Sequence, residues 1–224
     1  MRDYLRPILA LVWKDILLEL RTRDIVVSVA VFALLVVLVF NFAFDPTPAQ
    51  VAILAPGLLW AAFTFAGVLA LSRIFILEKD RGSLEGLLLC PVSRDVIFFG
   101  KLLGAFLFML LVEALLLPVF TLLFNFSTLL LGLLLTLVLA TLGFAAVGTL
   151  FSAIAVHTRS REIMLPILFI PIVVPVLIAA VEASARVLNG APWSEFSNWL
   201  QLLLVFDAIY LVICPWLFGF VLEE

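Results

Sequence analysis

The run Thr128-Leu-Leu-Leu-Gly-Leu-Leu-Leu-Thr-Leu-Val-Leu-Ala-Thr-Leu-Gly-Phe-Ala-Ala-Val-Gly-Thr-Leu-Phe-Ser-Ala-Ile-Ala-Val156 contains no Asp, Glu, Lys or Arg. A hydrocarbon core about 30 Å thick needs roughly 20 helical residues at about 1.5 Å each, so this run can cross a bilayer as one helix. It is too long and too continuously apolar for a barrel strand, which alternates over about 10 residues. The same reading extends outward to 25–44, 51–77, 96–124, 163–183 and 199–220, giving six spans with 128–156.

The whole chain agrees. Of its 224 residues, 66% are apolar and 13% charged, whereas a soluble domain carries about 25% charged residues. A soluble enzyme, a nucleic-acid-binding domain and a disordered chain are excluded. The expected fold class is an all-α membrane protein with six transmembrane helices.

Charge placement sets the orientation. An even number of spans puts both termini on one side, together with the loops 78–95 and 157–162. That side holds Arg2, Arg6, Lys14, Arg21, Arg23, Arg73, Lys79, Arg81, Arg94, Lys101, Arg159 and Arg161; Arg186 alone falls opposite. Basic residues concentrate on the cytoplasmic side of membrane proteins, so both termini are expected there. The first residues show no small-residue cleavage site, and the mature chain is expected to start at or near Met1. The organisation is an N-terminal cytoplasmic helix (1–24), a six-helix transmembrane domain (25–220) and a short tail (221–224).

Within 3–22, Leu5, Ile8, Leu9, Val12, Ile16 and Leu20 recur at helical spacing, with Asp3, Lys14 and Arg21 opposite. A helix lying in the membrane interface follows. Glu19 falls beside the apolar stripe, and Arg23 at i+4 is the expected partner. The segment 184–198, with Asn189-Gly190 and Pro192-Trp193, reads as an interfacial helix or a re-entrant piece. Pro166, Pro171 and Pro175 predict a bent or broken fifth span. Gly100 and Gly104, then Thr141, Ala145, Gly148, Thr149 and Ser152, mark close helix approach.

Chemistry-bearing residues are few. No phosphate-binding loop with its lysine is present, so work done with ATP must come from another chain. The single histidine, His157, reads as a solvated loop residue. Cys90-Pro91 and Cys214-Pro215 could offer a thiolate to haem iron, or be packing cysteines beside helix breaks. Glu113 and Asp207 lie mid-span, where ionisable groups are costly; they read either as a transport path or as helix contacts.

The loop 78–95 is the most informative segment. Ser83 is a good N-cap, Glu85 suits the first turn of a short helix, and Pro91 ends it. Leu84, Leu87 and Leu88 form an apolar face rimmed by Glu78, Arg81 and Glu85. A soluble partner could grip such a helix in a groove, or the helix could rest on lipid.

Ala55-Pro-Gly-Leu-Leu-Trp60, Leu69-Ala-Leu-Ser-Arg73 and Asp80-Arg-Gly-Ser-Leu-Glu85 resemble the CcmB family of haem exporter membrane subunits. Leu87-Leu-Leu-Cys-Pro-Val-Ser93, Lys101, Thr141-Leu-Gly-Phe144 and Leu165-Pro-Ile-Leu-Phe-Ile-Pro171 continue the likeness, and Cys90 departs from the aliphatic residue expected before Pro91. The resemblance implies an ATP-binding-cassette (ABC) exporter-type permease in the bacterial inner membrane, non-catalytic itself and present in two copies. It implies a CcmA-like ATPase subunit, CcmC-like and CcmD-like membrane subunits and a CcmE-like haem chaperone. ATP would then be bound by the partner, haem would be a candidate substrate, and no cofactor would be bound directly. Glu78, Arg81, Ser83, Leu84, Glu85, Leu87, Leu88 and Pro91 would form the ATPase-coupling site. Three alternatives stand beside this reading: an ABC exporter permease for a lipid, drug or polysaccharide; an ion-coupled secondary transporter using Glu113 and Asp207; and a non-transporting assembly scaffold.

Overall fold

The computed structural model describes residues 2–22, 24–44, 48–73, 75, 86, 92–125, 130–156 and 161–221. Among these residues the fold is wholly helical: α1 (Arg2–Thr22), α2 (Asp24–Phe44), α3 (Pro48–Arg73), α4 (Arg94–Phe124), α5 (Leu131–Val156), α6 (Arg161–Leu188) and α7 (Trp193–Val221). Helices α2 to α7 are each long and apolar enough to cross a bilayer, as the sequence predicts.

Helix α5 occupies the centre. Every residue from Gly143 to Leu150 is buried, and the neighbours come close because glycine and alanine carry so little. A Cβ built at Gly148 would overlap the side chain of Leu71 on α3. One turn on, the Ser152 hydroxyl donates to the Leu71 carbonyl at 2.7 Å. Around α5 one large apolar cluster joins α2 to α7, from Val29 through Phe63, Val112, Phe144 and Phe169 to Phe206. A second cluster, Phe75, Ile97, Phe98, Leu102, Leu150, Val156, Cys214 and Phe218, closes the end of the bundle beside α1.

Two expectations are corrected. The segment 184–198 is not a separate interfacial helix or re-entrant piece: α6 runs on to Leu188 and α7 begins at Trp193. Between them Gly190, at φ +73°, makes a Schellman stop, with Gly190 N–H on the Val187 carbonyl at 3.1 Å and Ala191 N–H on that of Arg186 at 2.9 Å. Local pairs hold the extra turns: the Trp60 indole N–H donates to Ser184 Oγ at 2.9 Å, and Arg186 pairs with Glu182 at 2.8 Å while stacking over Trp199. The second correction is that α6 is not broken: it is one continuous helix through its three prolines. Pro171 and Pro175 are exposed on the outer face, while Phe169, Val173, Val176, Ala180 and Ala183 face the bundle. Proline in a transmembrane helix is tolerated where neighbours and small backbone adjustments satisfy the freed groups.

Glu19 has a contact that the sequence reading did not name. Its Oε1 accepts the Val26 backbone N–H at 2.7 Å, so it satisfies a first-turn donor of α2. The α1–α2 junction is thereby capped from the preceding helix. Arg23, its expected partner, lies outside the described residues.

Candidate functional site

Glu78, Arg81, Ser83, Leu84, Glu85, Leu87, Leu88 and Pro91 lie outside the described residues, as do Cys90 and His157. Within 76–91 the structure describes Gly86 alone, helical and exposed. What the structure does show is how this loop is rooted. Phe75, just before it, is 2% exposed and packs on Phe218 with ring centroids 6.1 Å apart. Val92, just after it, is half-buried between the cluster around Phe98 and a small one formed by Ile8 and Val12 of α1 with Val96 of α4. Both roots are therefore seated on the same end of the bundle.

That end also holds the most buried cation among the described residues. Lys101, 2% exposed, places its ammonium 3.0 and 3.2 Å from the two carboxylate oxygens of Asp15 on α1, and 5.7 Å from the ring centroid of Phe75. A buried charge must be paired, and here the pair joins two helices. Gly100 and Gly104 flank Lys101 and make room for α1: a Cβ at Gly100 would stand 2.9 Å from Leu11 Cβ, and one at Gly104 3.8 Å from Asp15 Cβ. Nearby, Arg94 Nη1 donates to the Gly219 carbonyl at 2.6 Å, placing a cation near the C-terminus of α7.

Sequence reasoning singled out Gly100 and Gly104 but not their partner, which is α1 rather than another span. Asp15 was missed altogether. Its signal was available: Asp15 shares the face of Ile8, Val12 and Glu19, and an acid on the apolar side of a helix implies a buried partner.

The two mid-span acids do not meet. Thr141 donates to Glu113 Oε1 at 2.5 Å, whereas Asp207 lies against Gly143, with no hydrogen-bond partner on either carboxylate oxygen among the described residues. Thr141 and Gly143 are two residues apart, about 200° around the helix, so the acids touch opposite faces of α5. Glu113 also lines a narrow apolar crevice with Val29, Phe63, Ala66, Met109 and Val112 between α2, α3 and α4. Cys214 is fully buried against its aromatic and aliphatic neighbours, a packing environment for a thiol.

With this geometry in view, the family model described as "CcmB protein" matches residues 6–223, taking in α1, all six spans and the rooted loop. The chain belongs to the CcmB family. Curated relatives share the match over most of their length. "Heme exporter protein B" of Pseudomonas aeruginosa is 31% identical over 186 residues, covering 83% of this chain and 82% of the relative. That of Bradyrhizobium diazoefficiens is 30% identical over 207 residues, 92% of each chain. That of Rhodobacter capsulatus is 30% identical over 182 residues, 81% of this chain and 84% of the relative. This CcmB-family chain is thus a multi-pass membrane protein, and the family match takes in its N-terminal helix from residue 6 onward.

Proposed function

We propose that this protein is the permease subunit of an ATP-driven haem exporter system for cytochrome c biogenesis. It couples hydrolysis by a CcmA-like ATPase to haem export or to release of a haem-loaded CcmE-like chaperone. The observation that carries the reading is the family match across nearly the whole chain, with relatives named for haem export. The protein works in the bacterial inner membrane with both termini cytoplasmic, in two copies, beside CcmC-like and CcmD-like subunits. The distribution of basic residues supports that orientation.

In this reading the ATPase grips the loop through Leu84, Leu87 and Leu88, while Glu78, Arg81 and Glu85 set register, and Ser83 and Pro91 bound the short helix. The separation of Glu113 from Asp207 across α5 supports helix contact over a shared ion path, and favours a mechanical subunit. Replacing Leu87 and Leu88 together by Asp is expected to abolish co-purification of the ATPase while the permease still inserts. Unchanged co-purification would remove the coupling role from this loop.

A further inference from the structure

The loop that we assign to the ATPase joins the bundle through its two roots. Phe75 is locked among Phe98, Phe218 and the Lys101 ammonium. Val92 is wedged between α4 and the Ile8–Val12 face of α1. The Asp15–Lys101 pair links these features: its cation touches the first root, its anion belongs to the helix against the second, and its backbone is α4 itself.

The rest of α1 does not hold it there strongly. Leu5, Leu9, Trp13 and Leu17 form an exposed stripe turned away from the bundle, and among the described side chains of α1 only Ile8 and Val12 are buried. Between helices in a membrane no hydrophobic drive favours protein over lipid, so close packing and polar contacts decide the seat. Here these are the glycine steps at 100 and 104 and the ion pair between them.

We propose that Asp15 and Lys101 are positioning residues that keep α1 seated on α4 throughout the ATP cycle, so that α1, α4 and both loop roots move as one body. The proposal rests on the coupling role assigned above. It predicts that the pair can be replaced by any tie of the same length. The Cβ positions of residue 104 and Asp15 are 3.8 Å apart, at the mean of native disulfides.

The experiment uses the complex purified with its ATPase, in a Cys90→Ser, Cys214→Ala background. Asp15→Asn alone is expected to lower ATP hydrolysis by the complex by about tenfold. The variant D15C/G104C/K101M should be equally impaired when reduced, regain at least about half of the background activity on oxidation, and lose it again with dithiothreitol. Reversal on one purified sample separates positioning from misfolding, and blocked thiol labelling reports that the bond has closed. A closed disulfide without recovery overturns the proposal, because α1 must then leave α4 during the cycle. Wild-type activity in Asp15→Asn, or in the reduced triple variant, overturns it as well. If ATPase is absent from purifications of the unsubstituted protein, the proposed function fails, and this proposal with it; an ATPase present but insensitive to the tie overturns the positioning role alone.

Discussion

Helices α1 and α5 are both seated by glycine, yet they are held in opposite ways. Around α5 the contacts come from every side: Leu71 of α3 on Gly148, Asp207 of α7 on Gly143, and Glu113 of α4 on Thr141. Around α1 they come from one side, and a buried ion pair stands where α5 has close packing and side-chain hydrogen bonds. The difference follows from the solvent. Inside hydrocarbon a helix wrapped by neighbours needs no charge to be located, and each charge is costly. At the bundle's end, a helix with one face outward is located by whatever specific contact its inner face makes.

The largest effects should therefore separate the two members of the ion pair. Asp15→Ala takes the carboxylate from an ammonium that is 2% exposed and should cost about 3–5 kcal/mol. Lys101→Met should cost less, because the Asp15 carboxylate is 25% exposed and also lies 3.3 Å from the Lys14 ammonium. Denaturation of the purified protein in detergent would measure both; equal losses would mean that burial of the cation is not what makes the pair matter.

The glycine seat gives the next effect. Gly100→Ala drives a methyl to within 2.9 Å of Leu11 Cβ, an atom that cannot swing aside, so α1 must shift at about 1–3 kcal/mol. Gly104→Ala meets Asp15 at 3.4 Å and beyond, and should cost less than about 1 kcal/mol. Thermal midpoints of the two variants would rank them. The reverse order would mean that α1 is not held at Gly100.

These expectations also mark what could be read in the sequence. The six spans were legible because length and apolarity are local properties, and the roots of the loop fell where the charges begin. The stop at Asn189-Gly190 was visible as a turn, but the turns on either side were not assigned to α6 and α7. Of their polar residues, Glu182 and Arg186 pair at i,i+4 spacing, but Ser184 finds Trp60 across the bundle and Arg186 stacks over Trp199 of the next helix, contacts that helical spacing does not announce. Glu19 was seen to need a partner, but its bond to the Val26 N–H was not foreseen, because i+4 spacing knows nothing of the next helix's unsatisfied N–H groups. The seat of α1 was hidden for the same reason: Gly100 and Gly104 announce a close approach without saying what approaches.

The smallest effects test whether polar groups inside the bundle contribute by being present or by being paired. Thr141 and Thr149 lie two turns apart on α5, both buried, and differ in one respect. The Thr141 hydroxyl is bonded to Glu113, while that of Thr149 has no hydrogen-bond partner among the described residues. Thr→Val keeps the shape and removes the hydroxyl, so the two variants isolate that difference. Thr141→Val strips Glu113 of its bond and should cost about 1–3 kcal/mol, the usual consequence of leaving a buried partner unsatisfied. Thr149→Val removes an orphan and should be neutral or stabilising by up to about 1 kcal/mol. Opposite signs from the same substitution, measured by thermal unfolding in detergent, would show that pairing decides the energetics around α5. Equal losses would mean that the Thr149 hydroxyl is bonded in the membrane, and that α5 is held by polar contacts as α1 is.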